Sequence, residues 1–470
     1  MAFSLYNTLH RRIEPFLPLD PEGKRVRLYC CGPTIHDFAH IGNFRTFVLT
    51  DLLTRYLRFR GYEVDPVMNI TDVEDKIIRR VRDAGVSLRE FTAVFERAFF
   101  EDLEELGCVC PDQVPHATDF IDEIIELIQR LVDRGIAYQT ADGSVYFSIE
   151  RYQAAGHVYG QLTKIDLEKM RPGERVSHDE YEKDAVSDFA LWKARVAEDG
   201  EVFWQSPWGE GRPGWHIECS AMSMKLLGPS FDIHVGGEDL VFPHHEDEIA
   251  QSEGACLQGE GERFVRYWVH GAHLLVEGKK MSKSLGNFFT LRDLMEKGFT
   301  GREIRFVLMS AHYRETFNFT LDGLKGGRTA LRRIDECLHK LRERAGAAEA
   351  LPDERFLSQL TAALDDDLNV SSAWAVVFGW VREMNRRIDQ MTAEEAAAQV
   401  GAWLRVEAAL GVQAVAMEES IPQEVIDLMG ERRAARKARD FARADAIRDR
   451  LLAEGWVIED TPTGPRAKRA

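Results

Sequence analysis

Leu28-Tyr-Cys-Cys-Gly-Pro-Thr-Ile-His-Asp-Phe-Ala-His40-Ile-Gly-Asn43-Phe-Arg-Thr-Phe47 reads as a buried strand, a turn, a short loop and the opening of a helix. The strand is Val26 to Cys31, and Gly32-Pro33 stops it. The helix begins near Gly42 and buries Phe44, Phe47, Val48, Leu52, Tyr56 and Leu57 at three- and four-residue spacing. His40 and Asn43 therefore stand at a helix N-terminus, where unpaired N–H groups and the macrodipole favour an anion. No Gly-x-x-x-x-Gly-Lys-Ser/Thr loop is present, so contact with phosphate falls to side chains such as His40. The same two residues read equally well as a plain helix cap.

Working outward, Tyr62 to Ile70 reads as a second parallel strand with a polar tip, Asn69-Ile-Thr-Asp72. Strand, helix, strand opens a doubly wound sheet whose ligands sit beyond the carboxyl ends of its strands. That places Thr71 and Asp72 for a substrate contact, or for a turn and a cap. A charged amphipathic helical region follows over Lys76 to Leu106. Cys108-Val-Cys110 has one intervening residue and no second pair nearby, and reads as a turn. From Pro111 to about Gln205 the pattern changes to that of an insertion between two halves of the sheet.

The second half begins at Gly214-Trp215-His-Ile-Glu-Cys219 and continues in a strand, Phe231 to Val235, that contains His234 and runs on to Gly236-Gly-Glu-Asp239. Phe242-Pro-His244-His-Glu-Asp-Glu248 opens another helix. His244 and Glu248 are four apart and share one face, a spacing that suits two ligands of one metal and equally a solvated, acid-rich first turn. Phe264 to Val269 is a further strand. Beyond it, Lys280-Met-Ser-Lys283-Ser284 puts two lysines three apart in a Ser/Gly-rich loop, able to fold over phosphates as point charges. The remainder is mostly helical, with apolar stripes from Leu357 to Met384 that read as bundle core.

The chain has 470 residues, which suggests about three domains at roughly 150 residues each. Its net charge of −18 argues against nonspecific coating of nucleic acid. Glu431 to Ala470 is the exception, with 11 basic residues against seven acids. Arg432, Arg436, Arg439 and Arg443 are expected on one face of a helix there, either solvated or tracking phosphates. Seven cysteines without disulfide-like spacing point to a reducing, cytoplasmic compartment. No apolar run reaches the ~18 residues that span a bilayer, and no membrane association is expected.

His40-Ile-Gly-Asn43 early and Lys280-Met-Ser-Lys-Ser284 late resemble the signature pair of class I aminoacyl-tRNA synthetases. Tyr29-Cys-Cys-Gly-Pro-Thr34, Asn69-Ile-Thr-Asp72, Gly214-Trp-His-Ile-Glu-Cys219, Pro243-His-His-Glu-Asp-Glu248 and Leu364-Asp-Asp-Asp-Leu-Asn369 are similar to the cysteinyl-tRNA synthetase family. The resemblance runs from about Leu5 to Gly464. It implies an α/β fold: a Rossmann-type parallel-sheet catalytic domain with an insertion, followed by C-terminal helical domains. The expected divisions are 1–110 and 211–298 for the catalytic halves, 111–210 for the insertion, 299–350 for a stem-contact region, 351–420 for a tRNA-binding bundle and 421–470 for anticodon binding.

The resemblance further implies activation of L-cysteine by ATP to cysteinyl-adenylate, then transfer to the 3′ end of tRNA(Cys). One Zn2+ would be held by Cys31, Cys219, His244 and Glu248, and Mg2+ would accompany ATP. His40, Asn43, Lys280 and Lys283 would contact the phosphates, with Asp239 near the adenosine. Thr71, Trp215 and His234 would surround the amino acid. A monomer is expected. Two positions depart from the family: Asn43 stands where a second His is common, and no aromatic accompanies Arg466. Two rival readings are a ligase joining cysteine to an amino-sugar and a catalytically silent RNA-binding paralogue. The helical tail speaks against the first, and the intact lysines and ligand set against the second.

Overall fold

The computed structural model describes residues 2–163, 188–256, 263–282, 285–415, 423–461 and 464–469. Two compact units divide at Ala414/Val415.

In the first unit, a hairpin of β1 (Ser4–Asn7) and β2 (Arg12–Pro15) precedes β3 (Arg25–Cys30), α1 (Ile41–Phe59) and β4 (Glu63–Met68). Val26, Leu28, Tyr29 and Cys30 are all buried, because a central parallel strand is covered on both faces. Pro66 sits inside β4 and is tolerated there because β4 is the edge strand of its sheet. The expected core positions of α1, Phe44 to Leu57, are buried. Burial at each such side chain is worth about 1.5–3 kcal/mol. α2 (Asp75–Ala84) and α3 (Leu88–Glu105) divide the single helical region expected between Lys76 and Leu106. Gly85, at φ 66°, is the C-cap that ends α2, and Ser87 caps the start of α3.

α4 (Ile121–Asp133), β5 (Ala137–Gln139), β6 (Val145–Phe147), α5 (Ile149–Ala154), β7 (Phe189–Ala194), β8 (Trp204–Ser206) and β9 (Gly209–Pro213) follow. Their strands form an antiparallel sheet of order β5-β6-β7-β9-β8, separate from the parallel one and with its own core. The chain then returns through α6 (Trp215–Leu227), β10 (Phe231–Gly237), α7 (Glu246–Ala255) and β11 (Val265–Gly271). The central sheet is parallel with order β11-β10-β3-β4. Its two halves thus meet between β3 and β10, the switch point beyond whose carboxyl ends doubly wound folds bind ligands.

β12 (Leu274–Val276), β13 (Lys279–Lys280), α8 (Leu291–Glu296), α9 (Gly301–Leu308) and β14 (Phe317–Phe319) come next, with the strands in the order β13-β12-β14. α10 (Leu321–Ala345), α11 (Glu354–Leu364), α12 (Val370–Arg387) and α13 (Ala393–Leu410) form the bundle. Leu357, Leu360, Leu364, Trp374, Val377, Val381 and Met384 are buried in it, as their spacing predicts. Asp367 ties the bundle to the rest of the unit: its carboxylate accepts from the Tyr6 N–H at 2.7 Å, the Tyr313 hydroxyl at 2.5 Å and Arg314 Nε at 2.6 Å. No helix among the described residues is long and apolar enough to cross a membrane.

The second unit consists of α14 (Gln423–Lys437), α15 (Phe441–Ala453), β15 (Trp456–Thr461) and β16 (Gly464–Arg469). The single arginine face expected over Arg432 to Arg443 does not form. α14 stops at Lys437, Arg439 takes a left-handed φ of 63°, and Asp440 caps α15 by accepting from the Arg443 N–H. Arg432 and Arg436 lie on one helix, Arg443 on the next, and Arg432 is buried.

Candidate active site

Cys31 directly follows β3, Cys219 lies on α6, and His244 and Glu248 flank the start of α7, so three separate stretches converge at the switch point. Gly32 is needed at the turn: a Cβ there would lie 1.6 Å from the Asn69 carbonyl oxygen. Cys31 Sγ is 3.9 Å from Cys219 Sγ, 3.4 Å from His244 Nε2 and 3.6 Å from Glu248 Oε1. His244 Nε2 and Glu248 Oε1 are 2.9 Å apart. All four residues are buried, with ligand atoms within 4.8 Å of one another.

Two sulfurs, a nitrogen and a carboxylate oxygen tetrahedrally around zinc would be separated by roughly 3.3–3.8 Å, given Zn–S near 2.3 Å and Zn–N/O near 2.1 Å. The observed spacings are close to that, and the donor types fit zinc. A second grouping, Cys31, His234, His245 and Glu248, shares two of the four residues. It has one sulfur where the first has two. In it, His245 Nδ1 pairs with His270 Nε2 at 2.7 Å, and His234 stacks on Trp268 at 4.6 Å.

Electrostatics favour the anionic form at Cys219 and Glu248 and oppose it at Cys31. The Cys31 S–H donates toward Cys219, and with His244 nearby this brings the Cys219 thiol down to about 6 despite burial. Burial raises the Cys31 thiol well above its usual range. For Glu248, burial opposes ionisation, but the His234 and His244 imidazoles outweigh it and bring the carboxyl to about 2. Burial likewise opposes protonation of His244, and Glu248 with Cys219 reverses this to about 10.

Several residues around this centre were not singled out by sequence. His216 Nδ1 lies 2.8 Å from His244 Nδ1, and its Nε2 is 3.5 Å from the Asp247 carboxylate. Asn69 Oδ1 accepts from the Gly32 N–H at 2.9 Å and faces Cys219 Sγ at 3.7 Å, while its Nδ2 donates to Thr71 Oγ1 at 3.2 Å. The Tyr29 hydroxyl is buried beside Cys219. His270 Nδ1 continues from His245 to Thr8 Oγ1 at 2.7 Å. Tyr29, Asn69 and His216 lie inside quoted motifs and His270 just after an expected strand, but nothing in the sequence marked their contacts, which join residues far apart in the chain.

Of the remaining expected site residues, Thr71 is buried beyond β4, with its N–H donating to the Pro33 carbonyl. Asp72, read as either a substrate contact or a turn and cap, has its carboxylate accepting from the Thr118 N–H and hydroxyl. Trp215 opens α6 with its ring 4.6 Å from that of His244. His234, on β10, has its Nε2 3.0 Å from Glu248 Oε2. Pro243 precedes α7, which opens at Glu246.

His40 and Asn43 cap α1 reciprocally, the Asn43 N–H donating to His40 Nδ1 and the His40 N–H to Asn43 Oδ1, both at 3.1 Å. Because Nδ1 accepts, the neutral ring carries its proton on Nε2. Burial lowers the His40 pKa, so neutral pH finds it as a donor and not a cation. Capping and anion contact are therefore compatible: His40 Nε2–H and the Asn43 amide NH2 remain as donors. Asp239 is exposed in the turn after β10, near enough to His40 to oppose part of that lowering. Lys280 is exposed on β13, and Lys283 lies outside the described residues.

Residues 19–328 match the family model described as tRNA synthetases class I (C) catalytic domain, residues 359–413 the DALR domain, and residues 418–465 the cysteinyl-tRNA ligase anticodon binding domain. The chain is 47% identical over 487 residues to the cysteine–tRNA ligase of Chlamydia muridarum (strain MoPn / Nigg), covering 100% of both. It is 44% identical over 476 residues to that of Protochlamydia amoebophila (strain UWE25), covering 99% of this chain and 97% of the relative. Two solved structures share the fold. Mycobacterium tuberculosis methionyl-tRNA synthetase in complex with methionyl-adenylate has a TM-score of 0.58 at 13% identity, covering 87% of this chain and 94% of the other. The Agrobacterium radiobacter K84 agnB2 LeuRS-tRNA-LeuAMS ternary complex has a TM-score of 0.61 at 11% identity, covering 83% and 84%.

Proposed function

The chain belongs to the cysteine–tRNA ligases of class I, and from that premise we propose that it selects L-cysteine by its thiol at the Cys31, Cys219, His244 and Glu248 centre before charging tRNA(Cys). The observation that carries this reading is the convergence of four buried donors, two of them sulfur, at the switch point of the sheet.

When bound, Zn2+ supplies a Lewis acid that prefers a thiolate to a hydroxyl. A site that requires a partner from its substrate rejects an analogue lacking it by roughly 10⁴–10⁵, which removes the need for a separate editing domain. Trp215, Thr71 and His234 border the centre and enclose the amino acid.

The reaction has two steps. The cysteine carboxylate attacks the α-phosphorus of ATP, a P–O bond forms, and pyrophosphate leaves with the electrons of the bond that breaks. A terminal ribose hydroxyl of the tRNA then attacks the acyl carbon and AMP departs. The nucleophile of the first step is already ionised, so positioning and charge stabilisation supply the acceleration. His40 Nε2–H and the Asn43 amide donate to phosphate oxygens at the N-terminus of α1. Lys280 and Lys283 neutralise the leaving pyrophosphate, Mg2+ enters as part of the nucleotide substrate, and Asp239 lies toward the adenosine.

Residues 1–110 and 211–298 form the catalytic halves around the 111–210 insertion, residues 299–350 contact the tRNA stem, and 351–420 and 421–470 bind the rest of the tRNA. The protein acts as a monomer in the cytoplasm. Metal analysis together with cysteine-dependent ATP–pyrophosphate exchange tests this. About one zinc per chain and chelator-sensitive exchange are expected, and active protein without stoichiometric transition metal overturns the selection mechanism. Charging of a tRNA transcript, with none of an amino-sugar, separates it from the rival ligase.

A further inference from the structure

The hairpin that bears Lys280 is short of backbone support. β13 contains two residues and pairs with β12 only through Leu275↔Lys280 and Val276↔Lys279, at the edge of a three-stranded sheet. The turn between them, Glu277-Gly278, has φ of 51° and 75°, the signs a tight type I′ hairpin requires. Such a ribbon fixes the start of the loop but not the direction in which Lys280 leaves it.

Asn318 Oδ1 holds the turn by accepting from the Gly278 N–H at 2.6 Å, and another side chain holds the strand beyond it. Asn287 is 9% exposed, and its Oδ1 accepts from the Ser282 N–H at 2.9 Å. Its Nδ2 donates at 3.2 Å to the carbonyl of Val276 on β12 and at 3.2 Å to the carbonyl of Lys280 on β13. A single carboxamide thus bonds both strands and the first residues beyond them. Only a group that accepts on one atom and donates twice from the other can make this set, and Asn does so with little rotamer freedom to lose.

The residues flanking Asn287 lock onto the other signature. The Phe289 carbonyl accepts from the Ile41 N–H at 3.0 Å, and the Phe288 ring stands edge-on to His40 at 5.2 Å. Met281 closes against Gly42, where a Cβ would lie 2.6 Å from its Cε. Asn287 therefore joins the backbone of Lys280 to a segment already fixed on the N-terminus of α1.

We propose that Asn287 is a positioning residue for adenylate formation: it touches no substrate, and its carboxamide holds the backbone of Lys280 in the arrangement from which that lysine reaches the phosphates. This rests on the phosphate role given to Lys280 above. Misplacing a catalytic group by about 1 Å costs on the order of 10²-fold in rate.

The test compares Asn287→Ala, Asn287→Asp, Lys280→Ala and the Asn287→Ala/Lys280→Ala double variant of the full chain. Asn287→Ala is expected to lower kcat of cysteine-dependent ATP–pyrophosphate exchange by roughly 10- to 100-fold, on the same argument. The KM for cysteine, the metal content and the rate of transfer from preformed cysteinyl-adenylate to tRNA should stay within about twofold, which a merely structural defect would not permit. Asn287→Asp keeps the acceptor for Ser282 but loses both donors, so it should be at least as slow. If Asn287→Ala does not fold, Asn287→Asp carries the same comparison.

In the Lys280→Ala background, Asn287→Ala should cost less than about threefold, because the group it positions is gone. Full additivity overturns the proposal, as does equal loss in exchange and transfer. A Lys280→Ala variant with unchanged exchange overturns instead the role assigned to Lys280. A slow Lys280→Ala beside a normal Asn287→Ala overturns this inference alone.

Discussion

His216 Nδ1 stands 2.8 Å from His244 Nδ1, on the side of the imidazole opposite the sulfur of Cys31. The Asp247 carboxylate is 3.5 Å from the far nitrogen of His216, which gives a carboxylate–imidazole–imidazole row ending on a proposed ligand. Such outer partners fix ring orientation and typically contribute 10- to 100-fold in metal affinity. His216→Ala should weaken zinc binding by about that factor, measured by competition with a chromophoric chelator. Unchanged affinity would remove His216 from the site.

Cys219→Ala takes away one of two sulfurs. Metal stoichiometry should fall well below one, and the preference for cysteine over serine in pyrophosphate exchange should lose several orders of magnitude of the roughly 10⁴–10⁵-fold available. Full discrimination in this variant would contradict the role assigned to the centre.

Asn43→Asp separates capping from catalysis. The carboxylate still accepts from the His40 N–H and suits a helix N-terminus, by about 0.3–1 kcal/mol, so melting temperature should hold or rise. It also sets a negative charge against the nucleotide phosphates, and the KM for ATP should rise at least tenfold. Steady-state exchange kinetics and a thermal melt on one preparation decide the matter.

Arg45 is 5% exposed, and its guanidinium donates to the carbonyls of Ala272, His273, His312 and Glu315 at 2.6–3.2 Å. Burial, only partly offset by the charge of Glu315, brings its pKa to about 10, so it stays charged at neutral pH. Arg45→Met would leave four carbonyls short of a donor at about 1–3 kcal/mol for each one buried. A loss of at least about 3 kcal/mol is expected, read from the urea midpoint.

His270 supplies a pH dependence. Burial and the charge of neighbouring His234 hold it near a pKa of about 3, against roughly 6.5 in an unfolded chain. Between those values the unfolded state binds the extra proton, so the contribution to stability is complete above pH 6.5 and declines as pH falls toward 3, by up to about 1.4 kcal/mol per unit. His270→Gln, which can still bond Thr8 and His245, should show a shallower fall in melting temperature from pH 7 to 4.5.

Local order was legible in the sequence and convergence was not. The burial of α1, the breadth of β3 and the His40 cap follow from spacing and residue type within a few positions. Spacing pointed to His244 and Glu248, but the whole proposed ligand set became visible only through resemblance, because Cys31 and Glu248 meet through the order of strands in a sheet and not through any period. The arginine face failed for a local reason that was readable: Asp440 three residues before Arg443 is a cap signal, and it interrupts the helix that the charge pattern suggested. The partner that Asp72 takes was not readable for the opposite reason, since Thr118 is 46 residues away.

The bond between Cys31 and Glu248 spans 217 positions of the chain. On the roles proposed above, a nascent chain halted between α1 and α7 carries the proposed phosphate-binding helix but not the full proposed ligand set, and it also lacks the lysines that follow. On that reading, the groups that would discriminate are completed before those that would drive turnover, so a truncated product would be inert before it could be inaccurate.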